Sequence, residues 1–458
     1  MSGYDMVVQG GQVLVGQEFI DANIGVRDGT VAAISTDRLD GAEVLDATGL
    51  VVLPGLVDEH FHSWWKYGFD DHETATRAAL KGGVTTVLEM PMDNPPTLTV
   101  SALRDKESAV NGQYYVDHAP LGGYVSGQPE EFEALAEEGV AGYKLFTGDT
   151  APPDMYPGSD NGEILEVLRL ARKLGLPVLI HSEDGDIMKA EMRRLQAEGA
   201  EGPKAWEEAR PWFSEVAAVE NVALLAEVTG ARVVVCHVPT PRSVDAVAAA
   251  RTRGADIWVE SCTHNLCLSL EDFADEETRF KWNPPTRKRV LVDELWTQLS
   301  RGWIHTIGSD HTPLTKVTGE SIWTQNPGSG NVLEIMLPVL ATEALQRGVP
   351  FGTVVDMVTS TPARLFNLYP RKGAIAVGSD ADLALMSLTR TKVIRSADLE
   401  WLDPSQRWSA YEGRTVSVVP VYTVLGGKIA CAEGEIVGKP GWGRRIKTLA
   451  WERTHAIK

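Results

Sequence analysis

The chain has 458 residues, a formal net charge of −20 and 43% hydrophobic residues, enough apolar material for a large core under an acidic surface that disfavours nucleic acid as a partner. At roughly 150 residues per domain three units are possible, yet a single α/β barrel runs to about 250, so two structural units fit as well. No apolar run approaches the ~18 residues of a membrane span. The four cysteines lack finger or CxxC spacing and no charged-then-apolar leader opens the chain, which points to a reducing cytoplasm.

In chain order, the runs MVVQGGQVLV, DANIGVRDG, VAAISTD and AEVLDATG alternate apolar and polar residues between turn signals and predict a small all-β unit over 1–52. Over 53–370, strand-like runs alternate with helix-period stretches such as HETATRAALKGG and NGEILEVLRLARKLG, the pattern of a (β/α)8 TIM-like barrel. Over 371–458 the β character returns in RKGAIAVGSDADLALM and VVPVYTVLGGKIACAEGEIV, and these strands are expected to join the first ones in one β-sandwich. The basic, aromatic end GWGRRIKTLAWERTHAIK is expected either to lie across a neighbouring subunit or to be a solvated tail.

Six residues, His60, His62, Lys144, His181, His237 and Asp310, each end a short apolar, β-branched run: LVVLPGLVDEHFH, VAGYKLF, LPVLIHSE, ARVVVCHV and IHTIGSDH. The C-terminal ends of barrel strands share one mouth, so these residues are predicted to converge there. His60 and His62 at i and i+2 face the same way and can hold one metal, although such a pair is also common as plain polar residues. His181 and His237 read as zinc ligands or as satisfied core histidines. Lys144 either sends its head to solvent or, buried among dications, loses basicity and adds CO₂ to become a carbamate bridging two metals. Asp310 reads as a helix N-cap before HTPL or as a carboxylate ligand and base.

These residues, with GLVDEHFH, KGGVTTVLEMP, HSEDGDI, RPWFSEVAAVENVALLA, ESCTHN, NPPTRK and IGSDHTP, resemble the cyclic amidohydrolases of the amidohydrolase superfamily over nearly the whole chain. That group comprises allantoinases, hydantoinases or dihydropyrimidinases, and dihydroorotases. The resemblance implies two divalent metal ions, zinc by default with cobalt, manganese or iron as alternatives, on His60, His62, a CO₂-derived carbamate of Lys144, His181, His237 and Asp310. It implies opening of a cyclic amide or ureide C–N bond by a metal-bridging hydroxide, with Asp310 as general base and then acid. It also implies a homo-oligomer, a tetramer or dimer.

Within the group, VLEMPMDNPPT, APLGGYVSG, RPWFSEVAAVE, VVVCHV and ESCTHN are most similar to allantoinases, which implies conversion of (S)-allantoin to allantoate. Trp64 stands where dihydroorotases carry a substrate-gripping arginine, and the stretch after Lys144 lacks the tyrosine of hydantoinases. Departures from the allantoinase pattern fall at Thr263 and Asn265 around His264 and at Asn283 before the prolines. Trp64, Cys262, His264 and Asn283 are therefore the candidate substrate contacts, with His264 equally readable as a loop brace. The alternative substrate is a hydantoin or other cyclic imide with a hydrophobic substituent, favoured by Trp64 and Trp65. The non-enzymatic alternative is a catalytically silent scaffold of the same fold.

Overall fold

The computed structural model describes residues 3–63, 66, 71–150 and 156–455; Trp64 and Trp65 lie outside the described residues. Strands formed by both ends of the chain meet in one mixed sheet of nine. Its N-terminal members are β1 (Tyr4–Val15), β2 (Glu18–Arg27), β3 (Thr30–Ser35), β4 (Gly41–Asp46) and β5 (Val51–Pro54). The barrel follows as β6 (Leu56–Phe61), β7 (Val84–Glu89), β8 (Asp117–Pro120), β9 (Tyr143–Phe146), β10 (Val178–His181), β11 (Val233–Val235), β12 (Ile257–Cys262) and β13 (Thr306–Gly308). The end sheet resumes with β14 (Leu383–Ser387) and the strands Val419–Leu425, Lys428–Ala432 and Glu435–Ile436.

The two chain ends are joined where β5 lies parallel to β1 and antiparallel to β14, with Leu383 opposite Pro54 and Leu385 opposite Val52. Apolar residues alternating along these strands, among them Met6, Val8, Val13, Ile24, Leu383 and Leu385, bury a core of their own. We propose 1–52, 53–370 and 371–458 as the units of the chain on this basis.

Barrel strands such as Val178–His181 are buried along their whole length, which is why they read as unbroken apolar runs rather than alternating ones. Neighbours pair in parallel from β6 to β8 and from β9 to β13. Parallel bridges from Gly122 to Tyr143 and from Phe61 to His311 close the ring at its two seams. Side chains reinforce the second seam: Asp58 of β6 accepts the Ser309 N–H at 2.9 Å and the Ser309 hydroxyl at 2.6 Å.

The helices between strands bury one face against the ring. Asn161–Leu174, for example, buries Ile164, Val167, Leu168 and Ala171, at the spacing of a single helical stripe. The basic tail is not a free solvated segment, because it packs back on its own barrel. Residues 444–446 run beside His118, with the His118 N–H donating to the Arg444 carbonyl at 3.0 Å and the Ile446 N–H to the His118 carbonyl at 2.8 Å. Arg445 pairs with Glu107, and the Trp451 indole donates to the Glu137 carbonyl, so acidic helix ends of the body receive the cationic tail. Among the described residues no helix is long and apolar enough to cross a membrane.

Candidate metal and catalytic site

At the C-terminal mouth of the ring, the Nε2 atoms of His60 and His62 stand 3.5 and 3.4 Å from Asp310 Oδ1. His181 Nδ1 faces His237 Nε2 at 3.0 Å, and the His60 ring lies 5.2 Å from that of His237, centre to centre. All six residues predicted from strand ends are therefore buried around one point, with Lys144 wholly so. The lysine head does not reach solvent. It donates to Cys236 Sγ at 3.2 Å and lies over the Phe146 ring, while the Tyr156 hydroxyl donates to the Lys144 carbonyl at 2.6 Å. Asp310 does not cap a helix either; a short bridged segment follows it.

Two of the six residues sit in left-handed backbone, His237 at φ 39° and Asp310 at φ 48°, a conformation unfavourable for residues with a Cβ. Each is held there by its neighbours. The Asn265 side chain donates to the His237 carbonyl at 3.0 Å, and the Thr312 and Ser329 hydroxyls both donate to the Asp310 carbonyl.

Buried carboxylates fix the imidazoles from behind. Glu260 on β12 places its two oxygens 2.9 and 3.0 Å from His60 Nδ1, and Glu183 lies 2.7 Å from His181 Nε2. Arg210 forks onto Glu183 in turn. Burial works against the Glu183 carboxylate, but Arg210 and His181 outweigh it and hold it at about 2. Burial also opposes the charge on Asp310, yet His60 and His62 beside it keep it at about 2, so it is ionised. Burial and Lys144 push the His60 imidazole well below its ordinary range, and burial with His181 does the same to His237. Both rings are thus neutral, the form that donates a lone pair to a metal.

The donor set fits a pair of dications. With its Nε2–H on Glu183, His181 turns the Nδ1 lone pair toward His237 Nε2, and two nitrogens bound to one tetrahedral metal at ~2.0–2.1 Å would stand roughly 3.3 Å apart. The surrounding acids point the same way. Burial raises Asp58, Glu59 and Glu260, a cost that a bound dication would offset by favouring the carboxylate form, while the lysine of the six faces a thiol.

Of the candidate substrate contacts, Trp64 lies outside the described residues. Cys262 ends β12 fully buried, its thiol pushed far up by burial. His264 is buried with its ring 5.1 Å from that of Trp282, and burial lowers it to about 4 against the pull of Asp310. Asn283 is half-buried next to Trp282. His311, next to Asp310, stacks its ring on Phe61 and gives its backbone N–H to the Ser309 hydroxyl. Phe146 stacks on His181 and, with Met92, Tyr156 and Leu314, makes an apolar wall beside the histidines.

Sequence reasoning missed Glu183, Glu260, Arg210 and Cys236. Glu183 carried a signal, since it stands two residues after His181 in HSED; the partners of Glu260 and Arg210 are distant in sequence and carried none.

A family model described as "Amidohydrolase family" matches residues 51–430. The chain is 31% identical over 458 residues to an L-hydantoinase of Paenarthrobacter aurescens, covering 98% of this chain and 99% of that one. It is 35% identical over 454 residues to an allantoinase of Rubrobacter xylanophilus, covering 98% of each. Among solved structures, the L-hydantoinase (dihydropyrimidinase) from Arthrobacter aurescens superposes with a TM-score of 0.92 at 30% identity, over 97% of this chain and all of that one. With its ring of eight strands, its end sheet and its histidine-rich mouth, the chain belongs to the amidohydrolase family.

Proposed function

We propose that this protein is a metal-dependent hydrolase that opens the C–N bond of a cyclic amide or ureide. The carrying observation is the convergence of His60, His62, Lys144, His181, His237 and Asp310 at the barrel mouth, with the His60 and His237 rings neutral and the aspartate ionised. His60, His62 and Asp310 would hold one dication, His181 and His237 the other, and Lys144 as a carbamate would bridge them. Zinc suits the histidines, with cobalt, manganese or iron as alternatives. When bound, the two ions supply an acidified water near neutral pH and polarise the carbonyl.

The protein's own groups handle the proton. Asp310 takes it as the water oxygen bonds the carbonyl carbon, then delivers it to the ring nitrogen as the C–N bond breaks. Without that delivery the nitrogen would leave as an amide anion. Glu183, braced by Arg210, keeps His181 oriented.

The substrate reading is allantoinase-like, (S)-allantoin to allantoate, supported by the allantoinase relatives at 34–35% identity. The wall of Phe146, Met92 and Leu314 favours a second reading, a hydantoin or cyclic imide with an apolar substituent, and the L-hydantoinase relative supports it. We read the chain as cytoplasmic and homo-oligomeric, with Trp64, Cys262, His264 and Asn283 as the substrate contacts.

The test is metal content together with ring opening of allantoin, small and aromatic hydantoins, dihydrouracil and dihydroorotate, in protein purified with bicarbonate. Two metals per chain and turnover of allantoin or a hydantoin are expected. A metal-free, inert protein would make it a silent scaffold, and activity on dihydroorotate alone would overturn the reading of Trp64.

A further inference from the structure

Glu260 is fully buried on β12 and touches two strand ends at once. Both its oxygens face His60 Nδ1, at 2.9 and 3.0 Å, and Oε2 also accepts the backbone N–H of His237 at 3.3 Å. β12 and β6 are not neighbours, since β13 pairs with β12 and stands between them. The reach is possible because β13 ends in Gly308. A Cβ on that residue would lie 2.1 Å from Glu260 Oε1 and 2.7 Å from the His60 Cβ, so any side chain there would displace the carboxylate or the imidazole. The backbone of Gly308 lies outside the left-handed region, so the glycine is required by space rather than by conformation.

From this geometry we infer that Glu260 is a positioning residue for both halves of the site: it fixes His60 as the tautomer protonated on Nδ1 and anchors His237 through its amide. The inference rests on the proposed metal-dependent reading. His60 donates its Nδ1–H to the carboxylate and turns the Nε2 lone pair to the side where Asp310 stands. His237, left-handed at φ 39°, is pinned on its N–H by Glu260 and on its carbonyl by Asn265. One carboxylate therefore couples the His60–His62–Asp310 cluster to the His181–His237 pair. Glu183 differs, because it serves His181 alone among the six and leans on Arg210.

The variants are Glu260→Gln, which keeps the shape but loses the charge and one acceptor, and Gly308→Ala, which leaves Glu260 intact but fills its corridor. Two readouts are used: the rate at which zinc-loaded protein loses its metal to a chelator, and the His60 tautomer from nitrogen NMR of histidine-labelled, metal-free protein at pH 9. Removing such an outer partner typically costs 10–100-fold in metal affinity, so both variants should release both zinc equivalents 10–100-fold faster than the parent. Metal-free parent protein should show His60 protonated on Nδ1, and Glu260→Gln should lose that preference. Unchanged zinc release in folded Glu260→Gln, or an unchanged tautomer, would overturn the inference. A parent that holds no zinc would overturn the proposed function instead, and the tautomer measurement would still decide the role of Glu260.

Discussion

Two of the buried clusters that, among the described residues, have the donor geometry for a cation are treated by the chain in opposite ways. At the junction of barrel and end sheet, Asp117, Asp380 and Asp382 converge on Lys372, whose Nζ lies 2.5, 2.9 and 2.5 Å from them. There the ammonium is itself the cation, and burial is outweighed by the three aspartates, which raise its basicity. At the mouth, His60, His62 and Asp310 converge just as closely, but the nearby lysine, Lys144, turns to a cysteine thiol and not to the carboxylate. A cluster that carries its own counter-charge ties the barrel to the end sheet, whereas one built of imidazoles and an acid is suited to an exchangeable ion and to moving protons.

The sharpest way to separate the two is to remove one group from each. Asp310→Asn keeps size and hydrogen bonding but cannot carry the proton, so turnover should fall by about 10²–10⁴-fold while thermal unfolding stays near that of the parent. Parent-like turnover in the steady-state assay would end the acid–base role. Lys372→Met should do the reverse. Stranding buried carboxylates without their partner costs about 3–5 kcal/mol, so the melting temperature should drop sharply, with metal binding intact in the folded fraction. A variant that melts like the parent would show that Arg444, which approaches Asp117 and Asp380, suffices for compensation.

These contrasts mark how far the sequence was readable. The six mouth residues were legible because each ends a run of apolar residues whose only stable setting is a buried strand, and strand ends in a parallel ring must share a mouth. Lys372 was only partly legible: Asp380 and Asp382 stand in its own stretch RKGAIAVGSDADL, but its third partner, Asp117, lies 255 residues earlier on β8. Glu260 and Gly308 were hidden for a related reason. Their meaning depends on a reach from β12 across β13 to β6, and such packing is set by the closed ring, not by neighbours in the chain. The tail was half legible, because its charge says that it wants acidic company, not whose. The acids it found are Glu107 and Glu137 of its own body.

Between the two extremes lies a buried acid with incomplete compensation. Glu334 accepts the Glu400 N–H at 2.5 Å and feels Lys81, but burial dominates and pushes its carboxyl up to about 7. The folded value lies above the ordinary glutamate value of 4.5, so the folded protein binds this proton more tightly than the unfolded chain does. Its contribution to stability is therefore full below about pH 4.5 and is lost as pH rises toward about 7, after which it is flat. Denaturant unfolding followed between pH 4.5 and 8 should show this slope, up to about 3 kcal/mol in all, and Glu334→Gln should abolish it. A slope that survives the substitution would assign the titration to another group.

The smallest effect belongs to an acid that solvent already satisfies. Asp160 caps the helix Asn161–Leu174: its carboxylate accepts the Glu163 N–H at 2.9 Å, and Glu163 returns the bond to the Asp160 N–H at 3.0 Å. Such a box satisfies two helix N–H groups that have no partner within the helix, and the negative charge also suits the helix N-terminus. Asp160→Ala should cost about 1 kcal/mol, and Asp160→Asn much less, because an amide oxygen can still accept the bond. The helix itself should persist in either variant, held by Ile164, Val167, Leu168 and Ala171 against the barrel and closed by Gly175 at φ 70°. Thermal melts of Asp160→Ala and Lys372→Met side by side supply the measurement. Equal losses would mean that burial is not what separates the carboxylates of this protein, because the two sites differ chiefly in access to water.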